Sequence, residues 1–434
     1  MRLEFISNTG CYLEHGGVVF GMDIWLTQGA FEGSWFHYPP LRPTKWNVSD
    51  CRYIYVSHLH PDHCDFQALR AARPDTRFIV PDYFNRLLER KLKAFGFRNV
   101  ISLAANSRAE LEPGLTVDLF PQFKNNLFHE AAFGNLIDSA VSLQWDGRTV
   151  LNCNDNYLTE EWARKLKGRY PRIDLLLAPH SASGPYPASF RNLPRAEKQA
   201  EARRLQTQYV AYWSDLVQIL EPRIAVPCAA EYVVVGNLHQ KNPYIGLAEA
   251  RDAVADLRRR QDGDAPVRAV QLDCGTVLDV DDGTLHGLPV RELAEAERSD
   301  FIARHRDIPF DYHWEDSFVE ADFDALVRSA RAGLWKKQQR LNWKKDYNLY
   351  LTIDEVPSYS FNFACDEVAV LNGRDTERRE PYLECFLARP LLYQILVRRA
   401  HWNNAEGGLH IDFFRRPNEY VPEVFTLLSF LQAE

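Results

Sequence analysis

The chain has 434 residues, 46% apolar and 25% charged, with a formal net charge of −8. This composition excludes a collagenous, low-complexity or wholly disordered chain, and the acidic balance argues against a nucleic-acid platform. No apolar run approaches the ~20 residues of a membrane helix, and Met1 to Gly17 lacks the apolar stretch of a secretion signal, so neither a membrane nor an export role is expected.

The eight cysteines are scattered without a Cys-x-x-Cys pair. That pattern predicts a reduced, cytoplasmic protein whose thiols lie mostly in the core. The basic clusters Arg258–Arg260 and Trp335–Arg340 read as solvated helix faces.

In chain order, residues 3–7, 17–23 and 52–57 are short β-branched and aromatic runs that predict strands. A short helix is expected over 66–72, a strand over 77–81 and an amphipathic helix over 85–95. Strands follow at 99–103 and 115–120. Residues 138–152 predict a hairpin turning at Asp146-Gly147. A buried strand at 174–179, a long helix at 198–220 and a strand at 223–227 complete the mixed region. Early hairpins and later strand–helix alternation predict an α/β, two-sheet sandwich flanked by helices over residues 1–285. From 286 to 434 the chain changes character, and a helix-rich carboxy-terminal domain is expected there. Within it, 391–400 has helical periodicity, 407–416 ends in a strand-like alternation, and 421–431 reads as a closing apolar helix.

The most informative stretch is Val56-Ser-His-Leu-His-Pro-Asp-His-Cys-Asp65, directly after a predicted strand. It places His58, His60, Asp62 and His63 within six positions, in a chain with thirteen histidines. Imidazole and carboxylate at this density suit Zn²⁺ or Fe, and a tight loop can serve two metals a few ångströms apart.

This His-x-His-x-Asp-His pattern resembles the signature of the metallo-β-lactamase fold, an αββα sandwich. Met22-Asp-Ile-Trp-Leu26 with Gly29 to Trp35 resembles the corresponding loop of the branch that contains L-ascorbate-6-phosphate lactonase and the N-acylphosphatidylethanolamine phospholipase D enzymes. With Ser181-Ala-Ser-Gly-Pro-Tyr-Pro-Ala-Ser-Phe190 and the tail Arg398 to Pro417, the chain resembles the catalytic part of the CMP-N-acetylneuraminate hydroxylases.

The resemblance implies further ligands. His58 and His60 would share one metal with a third histidine, for which His129 is in the right interval. Asp62 and His63 would serve the other, and Asp155 would bridge both. The family's last histidine has no counterpart, because Cys228 or Ala229 stands in its place. His180 is the preferred substitute, with Glu231 and His239 as alternatives.

The chemistry expected is hydrolysis of a small polar ester, lactone, amide or phosphodiester, with Asp62 and Asp155 at the reacting centre. Trp25, Trp35 and the 181–190 segment are expected to flank the substrate. Arg415 and Arg416 are candidates for a phosphate or carboxylate. The hydroxylase resemblance implies a second reading, an iron-dependent oxygenase. The chain lacks the Cys-x-His and Cys-x-x-His pairs of a Rieske centre, so that reading requires a separate ferredoxin-type donor. A third reading, a non-catalytic binding protein on a degenerate fold, draws on the absent last histidine.

Overall fold

The computed structural model describes the chain except residues 125, 135–136, 262–266, 372–376 and 434, and all described side chains except those of 84 and 357. Residues 1–287 form two stacked sheets. The first has eight strands in the order Leu285–Gly287, Thr276–Asp279, Arg2–Ser7, Gly10–His15, Val18–Met22, Cys51–Tyr55, Arg77–Pro81 and Val100–Leu103. The second has seven, in the order Arg268–Ala269, Ile224–Cys228, Leu175–Pro179, Arg148–Asn152, Ser139–Trp145, Leu115–Pro121 and Arg108–Glu112.

The strand period of two builds the layers directly. In Leu175–Pro179, Leu175 and Leu177 face the other sheet and meet Leu3, Phe5, Phe20 and Tyr53. Leu176 and Ala178 face outward, against Ala163, Trp213, Leu216 and Leu257 of the helices Glu160–Arg169, Arg195–Leu220 and Ala250–Arg260. On the far side Leu88 and Leu92 of helix Tyr83–Phe95 cover Ile54, Phe78 and Val80. Strands buried on both faces read as continuous apolar runs, which is why Leu-Leu-Leu-Ala was legible as a strand. The result is the expected αββα sandwich. The hairpin pairs Trp145 with Arg148 across Asp146 and Gly147. Both turn residues have positive φ, 48° and 79°, the backbone a two-residue turn needs to match strand twist.

The carboxy-terminal part supplies the expected helices, Phe323–Arg340, Arg389–Leu396 and Pro422–Leu428 among them. They pack on a five-stranded sheet that the sequence reading foresaw only at its last strand. Its order is Ala369–Val370, Val356–Asn362, Asn348–Ile353, Tyr382–Leu387, Asp412–Arg416. Alternate residues Leu349, Leu351, Leu383 and Cys385 make its core with Val327, Leu334, Leu391 and Leu428. This sheet grips the sandwich through the backbone. Arg191 N donates to Phe413 O at 2.7 Å, and Phe413 N to Ser189 O at 2.8 Å. Lys241 Nζ donates to Asp412 Oδ1 at 2.5 Å, Leu409 O at 2.6 Å and Ser189 Oγ at 2.9 Å. No helix among the described residues is long and apolar enough to cross a membrane. All eight cysteines are unpaired, and all but Cys365 are buried.

A buried carboxylate holds the second sheet to its helices. Asp118 accepts from Arg108 Nε at 2.8 Å, Arg108 Nη2 at 2.7 Å, Arg169 Nη2 at 2.7 Å and the Tyr170 hydroxyl. Burial opposes its ionisation, but Arg108, Tyr170 and Arg169 outweigh burial and hold its pKa below the ordinary value. A depressed folded-state pKa gives stability that is present above the unfolded value near ~3.9 and is lost as pH falls through the folded one. Asp118→Asn is therefore expected to lower the melting temperature at neutral pH. The gap from wild type should shrink as pH is lowered below about 4; thermal melts across that range check it.

Candidate metal centre

The carboxyl ends of parallel strands from both sheets meet at one edge of the sandwich, the place where such sheets leave an open crevice. Val18–Met22 delivers Asp23, Cys51–Tyr55 delivers residues 57–65, Arg148–Asn152 delivers Asp155, and Ile224–Cys228 delivers Ala229.

The histidine loop is a tight turn, with His63 N and Cys64 N both donating to His60 O at 3.0 and 2.9 Å. Asp65 anchors its end. One carboxylate oxygen caps helix Phe66–Leu69 by accepting from Gln67 N and Ala68 N at 3.1 and 3.0 Å. The other accepts from Leu26 N, Thr27 N and Thr27 Oγ1 at 3.0, 2.8 and 2.9 Å. Asp23, fully buried, accepts from Ser57 N at 2.8 Å, Ser57 Oγ at 2.7 Å and His63 Nδ1 at 2.9 Å. Because the Ser57 hydroxyl donates to Asp23, it accepts from His58 Nδ1 at 2.9 Å, with Asp138 Oδ1 3.4 Å from the same nitrogen. Both rings thus spend Nδ1 on the protein and aim Nε2 into the site, the arrangement in which a second partner fixes the tautomer of a metal-binding imidazole.

One ligand atom each of His58, His60 and Asp155 lies within 4.8 Å of the others. His58 Nε2 and His60 Nδ1 are 2.8 Å apart. His63 Nε2 lies 3.4 Å from Asp62 Oδ2 and 3.4 Å from Asp155 Oδ2. Asn8 Nδ2 donates to Asp62 Oδ2 at 2.8 Å. His63 Nε2, Asp62 Oδ1 and Asp155 Oδ1 are buried with no hydrogen-bond partner. Buried polar atoms without partners are costly, and here they crowd one place. The donor set of imidazole nitrogens and carboxylate oxygens fits a divalent cation, with Asp155 between the His58–His60 and Asp62–His63 pairs. Burial opposes ionisation of Asp155, but His63, His58 and His60 outweigh it and hold its pKa well below the ordinary value. Burial and then the Asp155 charge push Asp138 the other way.

Above this group lies a cavity of about 170 Å³. His60, Asp62, Asp155 and Asn8 form its polar floor, and Trp35, stacked on Tyr232 at 3.4 Å, gives a flat wall. Ser183, Gly184 and Pro185 line another side, and Asn403, Glu406 and Gly407 close it from the carboxy-terminal helix Trp402–Gly407.

Several expected residues stand apart from this group. His129 lies on helix Leu127–Phe133, its Nδ1 3.2 Å from Thr426 Oγ1 and its ring 4.5 Å from that of Phe133, because Asn126 caps a helix where a strand-end loop was expected. His180 is fully buried with both ring nitrogens facing backbone carbonyls, Cys228 O at 2.8 Å and Ala248 O at 3.1 Å. His239 Nδ1 is 2.9 Å from Gly236 O, and Glu231 lines a different cavity. Trp25 is fully buried, its indole N–H donating to Thr27 O at 2.6 Å and its ring 3.7 Å from that of His37. Arg415 packs over Phe190 and donates to Asn418, while Arg416 pairs with Glu380 in solvent. Where the last family histidine was sought, the small side chain of Ala229 borders the cavity. Asp23, Ser57, Asp138, Asn403 and Glu406 were not foreseen. Asp23 and Asn403 lie inside stretches already singled out, but nothing local in sequence showed which way they point.

Residues 23–195 match the model of the beta-lactamase superfamily domain. A Mycobacterium tuberculosis (strain ATCC 25618 / H37Rv) protein named for a Rieske 2Fe-2S iron-sulfur protein is 26% identical over 48% of this chain, a match that spans only 40% of that relative's length. The cytidine monophosphate-N-acetylneuraminic acid hydroxylase of Xenopus laevis is 22% identical over 97% of this chain and 70% of its own. Among solved structures, Igni18, a metallo hydrolase of Ignicoccus hospitalis, is 16% identical with a TM-score of 0.43, over 66% of this chain and 99% of its own. The αββα sandwich, the His-x-His-x-Asp-His loop at its open edge and the family match over residues 23–195 together identify the fold of this part of the chain as that of the metallo-β-lactamase superfamily.

Proposed function

We propose that this chain is a metal-dependent hydrolase of a small polar ester, lactone, amide or phosphodiester. The observation that carries the reading is the meeting of three buried, unpartnered polar atoms, on His63, Asp62 and Asp155, beneath a cavity. His58, His60 and Asp155 would hold one zinc or iron ion, and Asp62, His63 and Asp155 a second. A bound cation of this kind lowers the pKa of water and polarises a carbonyl or phosphoryl oxygen.

The chain's own residues supply the rest. Asn8 holds one oxygen of Asp62, which leaves Oδ1 to take a proton from water as the scissile bond is attacked. The stacked Trp35–Tyr232 pair presents an apolar wall against which a substrate can lie. Asp23 and Ser57 keep His63 and His58 in fixed tautomers, so the ligands need not reorganise when the site fills.

Hydroxylation is a second reading, favoured by one observation. The similarity to the Xenopus hydroxylase runs over 97% of the chain and so takes in the carboxy-terminal helix that closes the cavity. That reading needs iron and an electron donor of ferredoxin type as partner.

Metal analysis, oxygen uptake and hydrolysis assays on protein purified with and without air separate the two. Hydrolysis predicts turnover of an ester, lactone, amide or phosphodiester with no oxygen consumed. Iron together with donor-dependent oxygen uptake overturns it in favour of hydroxylation, and a chain that takes up no metal overturns both. His60→Ala is expected to lose at least one equivalent of metal. Asp23→Asn, which turns an acceptor of the His63 N–H into a donor, is expected to weaken zinc binding by about 10–100-fold; competition with a chromogenic chelator measures it.

A further inference from the structure

The carboxy-terminal region contributes a side chain to the histidine cluster itself. His60 Nε2 lies 2.6 Å from Asn403 Oδ1, across 343 positions of sequence. A carbonyl oxygen can only accept, so this contact places a proton of His60 on Nε2, and in the neutral ring Nδ1 then keeps its lone pair. Nδ1 is the atom 2.8 Å from His58 Nε2, which also carries a lone pair because His58 Nδ1 donates to Ser57. With His60 neutral, the two lone pairs face each other at that distance, and a shared cation relieves their repulsion.

Asn403 is built into place. Its backbone N–H donates to His401 Nδ1 at 3.3 Å at the start of helix Trp402–Gly407. At the helix end, a Cβ on Gly408 would stand 2.8 Å from Phe31 O, so only glycine allows the approach. His410 Nε2 donates to that same Phe31 carbonyl at 2.8 Å, and Lys241 holds Leu409 O. The helix is thereby fixed to loop 29–35 as well as to its own sheet.

We propose that Asn403 is the positioning residue that makes His60 an Nδ1 ligand, so that the metal centre is complete only with the carboxy-terminal region in place. The inference rests on the metal reading above and goes beyond it by naming the residue of the carboxy-terminal region that orients His60. Leu in place of Asn403 removes the acceptor at similar volume, whereas Asp keeps an acceptor for the same N–H.

The test uses the full chain, zinc and a competing chelator, with ¹⁵N-histidine NMR of the metal-free protein as a second readout. Asn403→Leu is expected to bind zinc about 10–100-fold more weakly, while Asn403→Asp stays within about threefold of wild type. The metal-free melting temperature of each variant reports whether it is folded. The NMR spectrum of the wild type is expected to show His60 protonated on Nε2. Equal zinc affinity of wild type and Asn403→Leu, or a His60 proton on Nδ1, overturns the inference and leaves the metal reading standing. A folded Asn403→Asp variant as weak as Asn403→Leu also overturns it. A wild-type chain that binds no zinc or iron overturns the metal reading and this inference together.

Discussion

The buried carboxylate of Asp23 is the interaction on which the site depends. A carboxylate removed from water is costly unless every lone pair finds a donor. Asp23 offsets part of that cost with Ser57 N, Ser57 Oγ and His63 Nδ1, all from the adjoining loop. The end of one parallel strand is thereby locked to the loop at the end of its neighbour, and the Ser57 hydroxyl passes the constraint on to His58. The imidazoles are aimed by hydrogen bonds that saturate their outer nitrogens.

The second sheet is tied into the same network. The Tyr55 hydroxyl and Ser139 Oγ are 2.8 Å apart, and Ser139 Oγ donates to Ser57 O at 2.9 Å. Asn154 Nδ2 donates to Ser139 O at 2.6 Å, which sets the turn that presents Asp155. Asn154 has φ 48°, a conformation that asparagine tolerates better than most residues. The relative rigidity of strand ends over free loops makes such a constellation reproducible.

The carboxy-terminal region is a wall of the site as well as a neighbour. Its helix Trp402–Gly407 closes a cavity whose floor belongs to the sandwich. A substrate group that fits about 170 Å³ meets imidazole and carboxylate below, an aromatic wall at Trp35 and an amide and a carboxyl group, Asn403 and Glu406, above. Burial pushes the Glu406 carboxyl up to about 8, so it is mostly protonated at neutral pH and can donate a hydrogen bond. The lining of the cavity therefore draws on both parts of the chain.

Local sequence determined what depends on short-range physics. Period-two runs, the Asp146-Gly147 turn and the dense His-x-His-x-Asp-His loop have one favourable outcome each, and the sandwich and the gathering of His58, His60, Asp62 and His63 were legible from them. Asp155 came from the family resemblance, and the structure brings one of its oxygens within 4.8 Å of His58 and His60. Residue type and spacing do not reveal what a side chain meets: the His129 ring meets a threonine 297 positions away, and the His180 ring two backbone carbonyls. The Trp25 indole is likewise fully buried, its N–H donating to Thr27 O. Which atoms of the loop point inward, and that Asn403 closes on His60 from 343 positions away, were decided by tertiary structure alone. Those contacts arise from the packing of the two sandwich sheets and the docking of the carboxy-terminal part onto them, and the free energy that orients them is shared among residues that no local pattern brings together.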